Sequence, residues 1–157
     1  MQNRLMWSLS SALFYSLGFL FLSSLIALPL QAAEPTSRNL DSGWQFRAVA
    51  NTDRADVKEW HPAQVPGVVQ TDLLHSNLIP DPFDKDNEFH LQWIGLADWE
   101  YQTTFQVDAA TLVHDHVDLV FAGLDTFADV YLNDQAILHA DNMFRHWRVP
   151  AKTQLKA

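Results

Sequence analysis

The sequence predicts an all-β domain, a sandwich of two sheets in jelly-roll or Greek-key order. Three observations lead there. Apolar residues recur at every second position in several separate stretches, the period of a strand with one covered face. Helical periodicity is scarce and no βαβ spacing appears, so a sheet must bury its apolar face against another sheet. Aromatic residues make up 12% of the 157 residues, six of them tryptophan, and large rings suit pleated, half-buried surfaces.

The N-terminus stands apart. Residues 5–33 carry no charge, Arg4 precedes them, and Leu13-Phe14-Tyr15-Ser16-Leu17-Gly18-Phe19-Leu20-Phe21-Leu22 is apolar enough to enter a bilayer. Pro29 and the small residues Ala32-Ala33 before Glu34 have the form of a signal-peptidase site. Residues 1–33 are therefore expected to be a cleaved signal peptide. An uncleaved anchor helix is the alternative, because about 20 apolar residues span the hydrocarbon core. Export to the periplasm or the medium is expected either way, with membrane contact only through an uncleaved leader.

The remaining elements fall within residues 34–157. Asp41-Ser42-Gly43 reads as a turn before the alternating strand Trp44-Gln45-Phe46-Arg47-Ala48. Residues 51–59 are polar and read as a surface loop or one helical turn. Pro62 and Pro66-Gly67 punctuate the chain. Leu74 and Leu78, four apart behind Thr71 or Asp72, predict a short helix over 71–78 with Asn77 at its C-terminal end. Residues 79–98 are irregular, and so long a loop in a small domain is more often functional than idle. Tyr101, Thr103, Phe105 and Val107 then alternate with polar residues, followed by Val117, Leu119 and Phe121, and by Ala128, Val130 and Leu132. Asn133-Asp134 sits where a two-residue hairpin turn would lie, before a return strand at Ala136-Ile137-Leu138. Residues 144–149 are a last strand candidate. A sandwich of eight or more strands needs more chain than this, so the domain is expected to lack its closing strands.

Composition limits the chemistry. A formal charge of −9 with only ten basic residues argues against nucleic acid, whose phosphates need a surplus of Lys and Arg. Without cysteine there is no disulfide framework, thiolate nucleophile or Cys-based zinc site. Asp84, Asp86 and Glu88 alternate as around a cation, but an EF-hand counted from Asp84 would need Gly and Glu where Phe89 and Gly95 stand. A different calcium site and a solvated acidic loop both fit this pattern, so no metal and no cofactor is assigned. Nor do these neighbouring carboxylates offer the two distinct environments that glycoside hydrolysis requires, and no catalytic residue is assigned. His114 and His116 lack an evident third metal ligand and read as a polar strand entry. Trp93 and Trp99 flank a short segment that also carries Asp98 and follows Asn87 and Glu88. Indole faces receive the C–H faces of sugars while carboxylates and amides bond the hydroxyls. Asn87, Glu88, Trp93, Asp98 and Trp99 are therefore the candidate substrate-binding residues, with core packing as the alternative for either tryptophan.

Several motifs in order carry a resemblance. They are Pro66-Gly67-Val68 with Thr71-Asp72-Leu73-Leu74, Ile79-Pro80-Asp81-Pro82-Phe83, Asp86-Asn87-Glu88, Leu91-Gln92-Trp93-Ile94-Gly95, Asp98-Trp99-Glu100-Tyr101, Phe121-Ala122-Gly123-Leu124-Asp125-Thr126 and Asn142-Met143-Phe144-Arg145. From about residue 40 to 149 the chain resembles the N-terminal sugar-binding domain of β-mannosidases of glycoside hydrolase family 2. Asp84, Gln70 and Asn133-Asp134 depart from the residues usual there, an aromatic, a histidine and Asn-Gly. The resemblance implies a galactose-binding-domain-like jelly roll serving a retaining exo-β-mannosidase. It places both catalytic glutamates in a later (β/α)₈ barrel, and a Trp-Asp-Trp substrate segment downstream of Ala157. It thus carries no catalytic residue onto this chain, which alone is expected to be inactive. The implied partners are β-mannoside glycans and the barrel. A free-standing carbohydrate-binding module and a related exo-β-glucosaminidase are the alternatives, and the coding sequence 3′ of the Ala157 codon distinguishes the module from the enzyme.

Overall fold

A computed structural model describes residues 36–156. The expected leader over 1–33 lies outside the described residues. Among the described residues no helix is long and apolar enough to cross a membrane.

The organising strand is β1 (Gln45–Ala50), flanked by the short β2 (His61–Pro62) and by β3 (Asp98–Gln102) in one antiparallel sheet. Its register explains the alternation in sequence. Phe46 faces Tyr101 and Ala48 faces Trp99, while Gln45 faces Gln102 and Arg47 faces Glu100. Side chains point to opposite faces at successive positions, so one face collects rings and the other collects polar pairs. On the inner face Phe46 is fully buried, and its ring stacks on Tyr101 at 5.7 Å and tilts against Trp99 at 5.9 Å. Burying such a side chain contributes about 1.5–3 kcal/mol. On the outer face Arg47 pairs with Glu100 at 2.8 Å and lies 4.4 Å over the Trp60 ring.

A β-bulge interrupts this pairing near its end. Ala48 opposes Trp99 and Ala50 opposes Asp98, leaving Val49 without a partner. The extra residue turns the chain, and Asn51 follows with φ 58°.

Helix α1 (Val69–His75) begins two residues before the expected start and ends three before the expected end. Its N-terminus is tied by the Thr71 hydroxyl, which donates to the Val68 carbonyl at 2.7 Å. The C-terminal difference has a clear cause. Asn77 adopts φ 55°, its N–H bonds the Leu74 carbonyl at 3.0 Å, and the Leu78 N–H reaches back to the Leu73 carbonyl at 2.9 Å. This is a Schellman cap, in which a left-handed residue stops the helix and the next apolar residue folds back on it. Leu78 is thus the closing contact of the helix rather than a member of it. Leu73, Ile79, Val57, Leu91 and Ile94 complete the core beneath β1, with Trp93, Trp99 and Tyr101 packed at its margin.

Residues 79–98 contain two brief helical segments, α2 (Asn87–His90) and a 3₁₀ turn over Gln92–Gly95. Beyond β3 the expected strand does not continue. Tyr101, Thr103, Phe105 and Val107 alternate with exposed neighbours, yet ladder pairing stops at Gln102. A short helix α3 (Ala109–Leu112) follows, capped by the Asp108 side chain, which accepts from the Thr111 N–H at 2.7 Å. His114 and His116 lie in the turn after it, outside any strand.

The rest is two antiparallel pairs. Strand β4 (Asp118–Phe121) pairs with β7 (Trp147–Pro150), and β5 (Ala128–Leu132) pairs with β6 (Gln135–Ala140). The β5–β6 turn is the expected one, with Asn133 at φ 50° and Asp134 at φ 67°, both positive as a hairpin matched to strand twist requires. All described pairings are antiparallel, in keeping with the absence of βαβ spacing. The structure is strand-rich with only short helices, an all-β domain.

Candidate functional site

Strand β1 and its bulge deliver the polar run Asn51-Thr52-Asp53-Arg54 to the 3₁₀ turn. With Trp93 these residues line an open concavity of about 500 Å³. Arg54 is held on several sides. Its Nε donates to Asp56 at 3.0 Å, a second nitrogen bonds both Asp56 and, at 2.8 Å, the Leu78 carbonyl, and the guanidinium lies 5.0 Å over the Trp93 ring. The hydrogen bond from Arg54 keeps the Asp56 carboxyl below the usual carboxylate range. The Asn51 amide donates to Asp98 at 2.7 Å, so Asp98 reaches this surface through Asn51. An indole ring beside amide, hydroxyl and carboxylate groups is a setting in which hydroxylated ligands can bind, the polar groups bonding hydroxyls.

A second, more enclosed concavity of about 170 Å³ borders the same turn through Gln92 and Ile94. It is lined by Gln70, Pro82, Glu88, Leu91, Gln92 and Ile94.

The five expected substrate-binding residues divide among these surroundings. Trp93 lines the wide concavity and Glu88 the small one. Asn87 closes its own loop, donating to the Asp81 carbonyl at 2.8 Å. Trp99 packs on the core, 6.0 Å from Trp93 and 5.9 Å from Phe46, and its indole N–H is taken by the Ile94 carbonyl at 3.0 Å. Asp98 is committed to Asn51. The arrangement brings Asn51, Arg54, Gln70 and Gln92 forward instead. Gln92 stands inside the Leu91–Gly95 motif and Gln70 at a departure from the family pattern, whereas no motif marks Asn51 or Arg54.

The acidic alternation at 84, 86 and 88 does not gather round a point. Asp84 lies 3.8 Å from Lys85, and Asp86 lies 3.6 Å from His90. Among the described residues no group of three or more histidines and carboxylates could hold a metal ion.

A different carboxylate is the most constrained. Asp72, on α1, is 1% exposed. It accepts the Gln64 N–H at 2.9 Å and the Tyr101 hydroxyl at 2.8 Å, joining the 62–68 turn, the helix and β3. Burial first, and then the hydrogen bond to Asp72, push the Tyr101 hydroxyl well above its ordinary value near 10.

Residues 44–157 match the family described as glycosyl hydrolase 2 galactose-binding domain-like. The chain belongs to that family. Its β-sandwich is thus of the galactose-binding-like kind. The relatives include a beta-mannosidase B from Thermothelomyces thermophilus, 46% identical over 120 residues that are 75% of this chain and 13% of the relative. A beta-mannosidase B from Aspergillus clavatus is 40% identical over 121 residues, 75% of this chain and 14% of that one. In three dimensions the chain is similar to the crystal structure of a beta-D-mannosidase from Dictyoglomus thermophilum, with a TM-score of 0.68 and 42% identity over 74% of this chain and 14% of that one. This galactose-binding-like domain therefore spans about one-seventh of the length of the β-mannosidases it matches.

Proposed function

We propose that this chain is the N-terminal sugar-binding domain of an exported, retaining exo-β-mannosidase that releases terminal β-D-mannose from glycans. The observation that carries the reading is its likeness to proteins named β-mannosidases, at 46% and 42% identity, over nearly the whole described domain. In this reading the domain packs against a catalytic barrel and offers the Trp93 surface to β-mannoside glycans. Hydrolysis with retention needs two carboxyl groups about 5–5.5 Å apart, one with a raised pKa, and these belong to the barrel. The 157 residues are then inactive by themselves. Export rests on the leader-like residues 1–33.

The test is turnover of aryl β-glycosides by the product of the whole reading frame that carries this sequence. Faster release from p-nitrophenyl β-mannoside than from the β-galactoside, β-glucuronide or β-glucosaminide is expected. Preference for the glucosaminide would instead place the chain in the glucosaminidase branch. Measurable turnover by the 157 residues alone would overturn the assignment of catalysis to a separate domain. For export, N-terminal sequencing of the periplasmic or secreted product should begin near Ala33 or Glu34, and a product confined to the cytoplasm would exclude it.

A further inference from the structure

The small concavity has a composition of its own. Its lining combines Leu91 and Ile94, 9% and 3% exposed, with three exposed polar residues, Glu88, Gln70 and Gln92. An enclosed cavity of roughly 150 Å³ holds benzene, so about 170 Å³ has room for one six-membered ring. Gln92 donates from Nε2 to the Glu88 carbonyl at 3.0 Å. That bond anchors its amide and leaves its oxygen as an acceptor. Among the described residues Glu88 has no ion pair, and no donor reaches its carboxylate. None of the six lining residues is cationic.

An occupant must therefore meet three conditions. It must present an apolar face to Leu91 and Ile94, supply hydrogen-bond donors to a carboxylate and amide oxygens, and bear no negative charge, since nothing in the lining would offset repulsion from Glu88. A neutral pyranose meets all three, with ring C–H groups on one face and hydroxyl donors at its edge.

We propose that this pit is a monosaccharide site separate from the Trp93 surface, seating one neutral hexopyranose whose hydroxyls bond Glu88, Gln70 and Gln92. The proposal rests on the sugar-binding reading above and adds to it a second place of contact.

The experiment titrates the ¹⁵N-labelled 157-residue chain with methyl β-D-mannopyranoside and follows side-chain amide and indole signals. The Gln70 and Gln92 amides should shift together. Glu88→Gln, which keeps the shape and removes the charge, should weaken that response roughly tenfold, as loss of a charged hydrogen bond does. Asp53→Ala, which alters the lining of the wide concavity and is remote in sequence from every residue of the pit, should leave the response within about twofold. Glucuronate should bind more weakly than the mannoside, and Glu88→Gln should narrow the difference. Shifts at Asn51 and Trp93 without any at Gln70 or Gln92 would overturn the second site alone. Shifts at neither set, up to the solubility of the sugar, would overturn it together with recognition at the Trp93 surface. A Gln70 and Gln92 response that survives both Glu88→Gln and Gln92→Ala would also reject it.

Discussion

Replacing Tyr101 by Phe removes one oxygen and leaves the ring that stacks on Phe46 at 5.7 Å. What is lost is the donor to Asp72 Oδ2 at 2.8 Å. Because Asp72 is 1% exposed, water does not readily replace that donor, and the carboxylate is left with the Gln64 N–H. Hydrogen bonds to charged groups contribute about 1.5–3 kcal/mol, and an unsatisfied buried acceptor carries its full desolvation penalty. The expected loss is therefore about 2 kcal/mol, or roughly 6–10 °C in Tm for a domain of this size. Urea unfolding of the full chain followed by tryptophan fluorescence reads it as a lower midpoint with unchanged slope. Paired with Asp72→Ala, the double variant should lose clearly less than the two single losses combined, because both remove one interaction. Alkaline pH gives an independent reading. The Tyr101 pKa is raised in the folded chain, so the unfolded chain gives up its proton first. Stability is then full below pH about 10 and falls as pH rises beyond it; Tyr101→Phe should lose that component of the alkaline decline. A Tyr101→Phe midpoint within about 0.5 kcal/mol of the parent, the range of ordinary surface changes, would refute the account.

Other outcomes follow from single positions. Gly67→Ala would set a Cβ well inside contact of the Gln64 carbonyl oxygen, displacing the segment whose N–H serves Asp72; a loss of about 1–3 kcal/mol is expected, whereas Gly95→Ala, which meets nothing within 4 Å, should be far milder in the same urea titration. Asp134→Gly should raise stability by up to about 1 kcal/mol, since glycine adopts the φ of 67° found there without the Cβ penalty, and a lowered urea midpoint would contradict this. His139, bonded at 2.7 Å to Asp129 across the β5–β6 pair, has its pKa raised by that bond above the ordinary 6.5. The raised value means this contact supports the fold below pH about 6.5 and ceases to do so as pH climbs through the folded pKa. NMR titration of the imidazole should show the higher value, and Asp129→Asn should bring it down.

Much of the strand order was legible because alternation is a local record of which face is covered. Phe46 and Ala48, Ala128 to Leu132, and the Asn133-Asp134 turn lie where their spacing puts them. Alternation does not reveal whether a neighbouring strand is present, and so residues 103–107 keep the pattern without a ladder. The helix end escaped for a related reason: Leu78 has the spacing of a helical residue but serves as the residue that folds back on Leu73. At the site, the chemistry of Trp99 and Asn87 was visible but not its prior commitment, since the Ile94 and Asp81 carbonyls that engage them are backbone groups with no signature in sequence. Asp72 was readable as part of a helix start. That it is buried between Gln64 and Tyr101 depends on contacts 8 and 29 residues away.

The 3₁₀ turn over Gln92–Gly95 is a wall shared by both concavities, with Trp93 facing one and Gln92 and Ile94 the other. With about three residues per turn, each step rotates the outgoing side chain by roughly 120°. Inserting or deleting one residue there would rotate the side chains that follow by about that angle, altering the linings of both hollows at once. A substitution at Trp93, by contrast, changes the lining of the wide hollow alone, and one at Gln92 that of the small hollow alone.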